Sequence, residues 1–141
     1  MRVLTIGTFD MLHPGHLDLF QWCRNLAGKD GTVVVAVNRD EFVERYKQKR
    51  PILSLTERSS LVESCKTIDE VVIHEADEDC LPTIEKIKPD ILVVGSDWLK
   101  KDYLKQINVS ASYFEDHHIA LVYIPRSRDL STTEIKKRIM G

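Results

Sequence analysis

Short apolar runs alternate along the chain with stretches in which apolar residues recur every three or four positions. Val3–Ile6, Thr32–Val37, Val71–His74, Ile91–Val94 and Ile119–Ile124 read as five strands. Several are near-continuous in Val, Ile and Leu, the pattern of strands buried on both faces of a parallel sheet. Between them, His16–Ala27 places Leu17, Phe20 and Leu26 broadly on one side of a helix. Thr56–Cys65 carries Leu61, Val62 and Cys65 behind a capping box at Ser54-Leu55-Thr56-Glu57. A short helix is expected around Glu41–Arg45, and Leu81–Ile87 takes Pro82 in its first turn, where proline is tolerated. Thr132–Met140 opens on Ser131-Thr132-Thr133-Glu134, a second capping box. The alternation predicts an α/β fold: a Rossmann-like, doubly wound, five-stranded and mainly parallel sheet with helices on both faces. No repeat or linker divides the chain, so residues 1–141 are expected to form one domain. Right-handed crossovers gather the loops after the strand C-termini on one edge, and ligands bind there in such sheets.

Composition narrows the chemistry. The apolar and charged fractions, 43% and 30%, are those of an ordinary globular protein, and the net charge is −2. Nothing global favours nucleic acid or a membrane surface, so any anion site must be local, built from a few placed cations and N–H groups. No apolar run reaches the roughly 18–20 residues of a membrane span, and the N-terminus enters a strand too soon for a signal peptide. Cys23, Cys65 and Cys80 are odd in number and share no paired spacing. They read as free thiols of a cytoplasmic protein.

The turn after the first strand carries the densest chemistry. His13 and His16 flank Pro14-Gly15 at the start of a helix, whose unsatisfied N–H groups and partial positive charge suit a phosphate. Gly15 admits close approach to the backbone. Two imidazoles three positions apart on a first turn face one oxyanion. Two other readings fit the same residues: simple helix capping, and metal ligation by His13, His16 and Asp10. Ser131, Thr132 and Thr133 form a second helix-terminus site, with Arg126 upstream suited to bidentate phosphate contact. Asp97 and Trp98 follow the fourth strand on the ligand edge, where a tryptophan either stacks on a base or packs.

Gly7-Thr8-Phe9-Asp10, His13-Pro14-Gly15-His16 and Ser131-Thr132-Thr133-Glu134-Ile135 together resemble the signatures of the cytidylyltransferase-like nucleotidyltransferase superfamily. Gly95-Ser96-Asp97-Trp98, with Arg126 upstream of Ser131, most resembles its glycerol-3-phosphate cytidylyltransferase branch. The resemblance implies attack of a substrate phosphate oxygen on the α-phosphorus of CTP, with Mg²⁺ accompanying the nucleotide and no nucleic acid or membrane partner. It implies charge stabilisation by His13, His16, Lys47 and Arg126. Nucleotide contacts would come from Thr8, Phe9, Gly15, Asp40, Lys49, Ser131, Thr132 and Thr133, and acceptor contacts from Asp10, Arg58, Lys66, Asp97 and Trp98. Asp10 is also the residue that would help the phosphate oxygens carry the Mg²⁺. Glycerol 3-phosphate is the acceptor implied first; a phosphonate, a heptose phosphate, or ATP with flavin mononucleotide keeps the same reaction class. Relatives of this size imply a homodimer. Four features depart from the branch: Asp129 beside the second site, Lys66 in place of arginine, the acidic Glu75–Asp79 segment, and an additional element at 108–114.

Overall fold

In a computed structural model of the chain, residues 1–125 and 131–141 are described. The strands are β1 (Arg2–Gly7), β2 (Thr32–Asn38), β3 (Glu70–His74), β4 (Ile91–Gly95) and β5 (Ala120–Ile124). They form one sheet of order β3-β2-β1-β4-β5, and each of the four pairings is parallel. The helices are α1 (Pro14–Ala27), α2 (Asp40–Lys47), α3 (Leu55–Glu63), α4 (Leu81–Ile87), α5 (Tyr103–Ile107), α6 (Ala111–Asp116) and α7 (Thr132–Met140), with a 3₁₀ turn at Ser96–Lys100. The predicted architecture is thus present, and the sheet is wholly rather than mainly parallel.

The run Val33–Val37 is fully buried because β2 lies inside the sheet and has a layer on each face. Leu4, Val34, Ala36, Leu92 and Val94 pack against Ile84 and Ile87 of α4 and against Tyr103, Ile107 and Phe114. Val3, Val33, Ile91 and Val93 pack on Cys23 and Ala27 of α1. Val35 and Val37 meet Phe20 of α1 and Val62 of α3 beside Phe9. β3 is an edge strand and correspondingly less buried. α1 ends where Gly28 takes φ 81°, a conformation that glycine adopts without strain. Within the 108–114 element, Val109 and Phe114 belong to the core, and Ser110 caps α6 by accepting the Tyr113 N–H. Among the described residues, no helix is long and apolar enough to cross a membrane.

Strand order reverses between β1 and its neighbours β2 and β4, so the chain leaves β1 into a crevice at the C-terminal edge of the sheet. A cavity of about 440 Å³ occupies that crevice.

Candidate active site

The β1–α1 turn is built under strain. Phe9 and Met11 both take positive φ, 54° and 51°, which side chains adopt reluctantly. Tertiary contacts hold them. The Phe9 ring is buried, packs edge-on against His16 at 5.6 Å and lies 5.2 Å from Phe20. It also folds back over Gly7, where an added Cβ would stand 2.8 Å from Phe9 Cζ.

His13 is the N-cap of α1, and its Nδ1 accepts the Gly15 N–H at 3.1 Å. The His13 N–H in turn donates to His16 Nδ1 at 3.3 Å, and the rings stack with centroids 3.8 Å apart. The contacts that cap the helix therefore also fix how the two rings are oriented. A ring nitrogen that accepts a hydrogen bond carries no proton, so each imidazole bears its proton on Nε2. Burial, and next the His13 neighbour, push the His16 pKa down to about 4. At neutral pH His16 is an uncharged Nε2–H donor lining the cavity. Gly15, whose N–H serves the cap, does not line it.

Three carboxyl and guanidinium groups assigned to ligands from sequence instead fasten the loops. Asp10 accepts Ile52 N–H at 2.7 Å and Leu53 N–H at 2.9 Å, one on each oxygen. Arg58 is completely buried. It donates to Leu53 O, to Thr8 O at 2.8 Å and to Asp40 Oδ1 at 2.7 Å, while Asp40 Oδ2 takes the Leu55 N–H. Arg58 and Asp40 thus position the turn, Arg58 sealed from solvent and neither residue on the cavity wall; Asp40 is also the first residue of α2, not its N-cap. Asp10 lines the cavity with both oxygens engaged, and no cluster of three or more His, Cys, Asp or Glu ligands exists among the described residues. A resident metal ligated by His13, His16 and Asp10 does not fit.

The N-terminus of α7 closes the far side. Thr132 donates its hydroxyl to Asp10 O at 2.7 Å, docking the helix on the turn, and the Ser131 hydroxyl accepts the Glu134 N–H as a cap. Thr133 is exposed on the cavity wall. Lys47 and Lys49 line the cavity, as does Lys136, whose Nζ lies 3.9 Å from Asp10 Oδ2. Lys47 is surface-accessible, yet desolvation around its ammonium, followed by the Lys136 charge, holds its pKa below the usual lysine value. Two cations, Lys47 and Lys136, therefore share one carboxylate that already takes two main-chain N–H groups, an arrangement suited to an entering anion.

Sequence reasoning missed Lys136, although its spacing four residues after Thr132 on one helix was a usable signal. It also missed Asn38, whose Nδ2 donates to Thr8 Oγ1 at 3.1 Å, and the stacked pair Phe42 and Tyr46. Trp98 lines the cavity edge-on to buried Tyr103, 5.3 Å between ring centroids. Asp97 is exposed and outside the cavity lining. Lys66 is exposed just before β3, at the opposite edge of the sheet from the cavity, and is corrected to a surface residue. Arg126 and Asp129 lie outside the described residues.

The family model for cytidylyltransferase-like proteins matches residues 4–138. The chain is 36% identical over 146 residues to an FAD synthase of Korarchaeum cryptofilum, covering 99% of this chain and 91% of that one. It is 35% identical over 141 residues to a glycerol-3-phosphate cytidylyltransferase of Bacillus subtilis, covering 99% and 98%. A lipopolysaccharide core biosynthesis protein of Thermoplasma volcanium superposes with TM-score 0.70 at 29% identity, covering 91% of this chain and 97% of that one. A neutral imidazole donor, facing lysines and a helix N-terminus at the switch point of a parallel sheet agree with these matches: the chain belongs to the cytidylyltransferase-like family and is a nucleotidyltransferase.

Proposed function

We propose that the protein transfers CMP from CTP to glycerol 3-phosphate, giving CDP-glycerol and pyrophosphate. The observation that carries the transfer is His16, stacked on the helix-capping His13 with its Nδ1 held by a main-chain N–H, on one cavity wall with Lys47, Lys49 and Lys136. The acceptor's phosphate oxygen attacks the α-phosphorus while the bond to the β-phosphate breaks and pyrophosphate leaves. A phosphate monoester is ionised near neutral pH and needs no general base. The chain's task is to hold two anions together and to stabilise charge on the equatorial and leaving oxygens. His16 Nε2–H serves the α-phosphate, and Thr133 and Lys136 on α7 serve the β- and γ-phosphates. Lys47 and Lys49 hold the acceptor's phosphate close to the site of attack. Mg²⁺ enters with the triphosphate, held largely by phosphate oxygens and water, while each Asp10 oxygen already takes one main-chain N–H.

Glycerol 3-phosphate is supported by the near full-length Bacillus subtilis relative and by a compact cavity of about 440 Å³. A second reading, ATP with flavin mononucleotide, is supported by the Korarchaeum cryptofilum relative and by two aromatic groups, Tyr46 and Trp98, on the cavity wall. Pyrophosphate release with four nucleotides against glycerol 3-phosphate, flavin mononucleotide and a heptose phosphate separates them. CTP with glycerol 3-phosphate is expected to be fastest; faster turnover of ATP with flavin mononucleotide moves the assignment to the second reading. The reading also includes a cytoplasmic setting, consistent with three free cysteines, and a homodimer. Sedimentation at the 16.2 kDa mass of one chain would remove the dimer.

A further inference from the structure

Asp77, in the loop between β3 and α4, takes φ 56°, a left-handed conformation for a residue with a side chain. It is held there from inside the fold. Buried His74 stands with Nε2 2.6 Å from Asp77 O and Nδ1 2.7 Å from Thr83 Oγ1. A carbonyl can only accept, so Nε2 carries a proton and donates to Asp77 O, while Nδ1 pairs with the Thr83 hydroxyl. The ring has a partner on both sides, and the transfer chemistry makes no use of it.

Fixed in this way, Asp77 turns its carboxylate toward α2. Arg39 engages both oxygens through Nη2, at 2.8 and 2.9 Å, and adds Nε at 3.2 Å. Arg45 reaches the same carboxylate at 3.3 Å and lies on Glu78 at 2.8 and 2.9 Å. Hydrogen bonds from the guanidinium groups hold both carboxyls below the usual carboxylate range. An isolated exposed ion pair contributes little. Here four charges form a bidentate network, and one of them is braced by a buried ring.

The network grips α2 near both ends. Arg39 occupies the N-cap, where no side chain caps the helix, and Arg45 stands two residues before Lys47. α2 has eight residues and buries Phe42 and Val43, so its own hydrogen bonds do not make it a stable unit. Its placement comes from outside: Asp40 bonded to Arg58 on one side, the Asp77–Glu78 network on the other. Asp77 and Glu78 also line the cavity, as do Phe42, Tyr46 and Lys47 of α2.

We propose that Asp77 and Glu78, braced by His74, are positioning residues that clasp α2 so that Lys47 stands over the cavity where a substrate phosphate is held. The proposal rests on the reading of Lys47 as a phosphate-binding residue. It is tested first without any substrate, by following the Lys47 ε-CH₂ resonances with pH in the wild type and in Asp77→Asn. Removing a nearby carboxylate charge by itself pushes a lysine pKa down. Relaxation of α2 out of its packing and away from Lys136 pushes it up, outweighing the smaller loss of attraction to Asp10. An upward move in Asp77→Asn is expected; an unchanged or lower value overturns the clasp.

In the pyrophosphate assay, Asp77→Asn should raise KM for one substrate roughly tenfold while kcat stays within about threefold, and should add nothing further in a Lys47→Ala background. Effects that simply multiply would mean that Asp77 acts independently of Lys47, against the proposal. Arg45→Glu should impair the enzyme similarly, and the double change Arg45→Glu with Glu78→Arg should restore KM; failure to restore counts against the clasp. If the wild type turns over no tested pair, the proposed substrates fall, while the Lys47 titration still decides the clasp.

Discussion

At the scale of single residues, His16 shows how a local hydrogen bond sets chemistry. Its Nδ1 is occupied by the His13 N–H, and burial holds the ring neutral, with its pKa near about 4. His16→Ala should therefore lower kcat by at least about 100-fold with little change in nucleotide affinity, as for loss of one preorganised donor; steady-state kinetics beside nucleotide titration check this. The same neutrality has a consequence for stability. Between the unfolded value near 6.5 and the folded value near 4, the unfolded chain binds more protons at this position. Unfolding free energy should thus fall on acidification through that window, by up to about 1.4 kcal/mol per pH unit from this one group. Urea unfolding at several pH values, in the wild type and in His16→Asn, measures it; an equal acid sensitivity of the two proteins would refute the assignment. The motif itself was legible from residue types. The tautomer was not, because it depends on where two main-chain N–H groups point.

At the scale of elements, Arg58 and Asp40 join what sequence order separates. Arg58 on α3 holds the Thr8 carbonyl of the β1–α1 turn, the Leu53 carbonyl of its own approach, and Asp40 at the start of α2. Family position suggested a substrate contact, since a guanidinium in a phosphate enzyme reads as a phosphate ligand. Complete burial reverses that inference: a charge without access to solvent has been matched to fixed partners. Arg58→Leu should destabilise the fold by roughly 3–5 kcal/mol, because it strands a carboxylate and two carbonyls, whereas a change to exposed Lys66 should fall within about 0.5 kcal/mol of the wild type. Chemical denaturation of the two variants makes the comparison. Helix boundaries and caps were largely readable; Ser54 caps α3 with Glu57 reciprocating, as the capping box predicts. Lys66 was misplaced for a reason of topology, since a residue just before a parallel strand lies at the edge away from the ligand crevice.

At the scale of the whole molecule, the cavity joins segments from Thr5 to Lys136, nearly the full length of the chain. Thr132 docks α7 on Asp10, Asp10 holds Ile52 and Leu53, and Asp77 clasps α2. A ligand that binds this assembly should stabilise the fold as a whole. CTP at about 100 times its dissociation constant should add about 2.7 kcal/mol to unfolding, read as a rise in denaturant midpoint with an unchanged slope. Under the second reading ATP gives that rise and CTP does not.

The sequence by itself determined the strand–helix order, the parallel sheet and the turn that carries His13 and His16. Those features follow from local periodicity, caps and a short motif, all encoded within a few residues. Tertiary structure alone decided which charged groups are tools and which are fasteners. Asp10, Asp40 and Arg58 have the same chemistry as ligands, but each is already hydrogen-bonded to partners 15 to 50 residues away. Lys136 and the Asp77–Glu78 clasp became visible for the converse reason: only folding brings their charges within a few ångströms of the cavity and of α2.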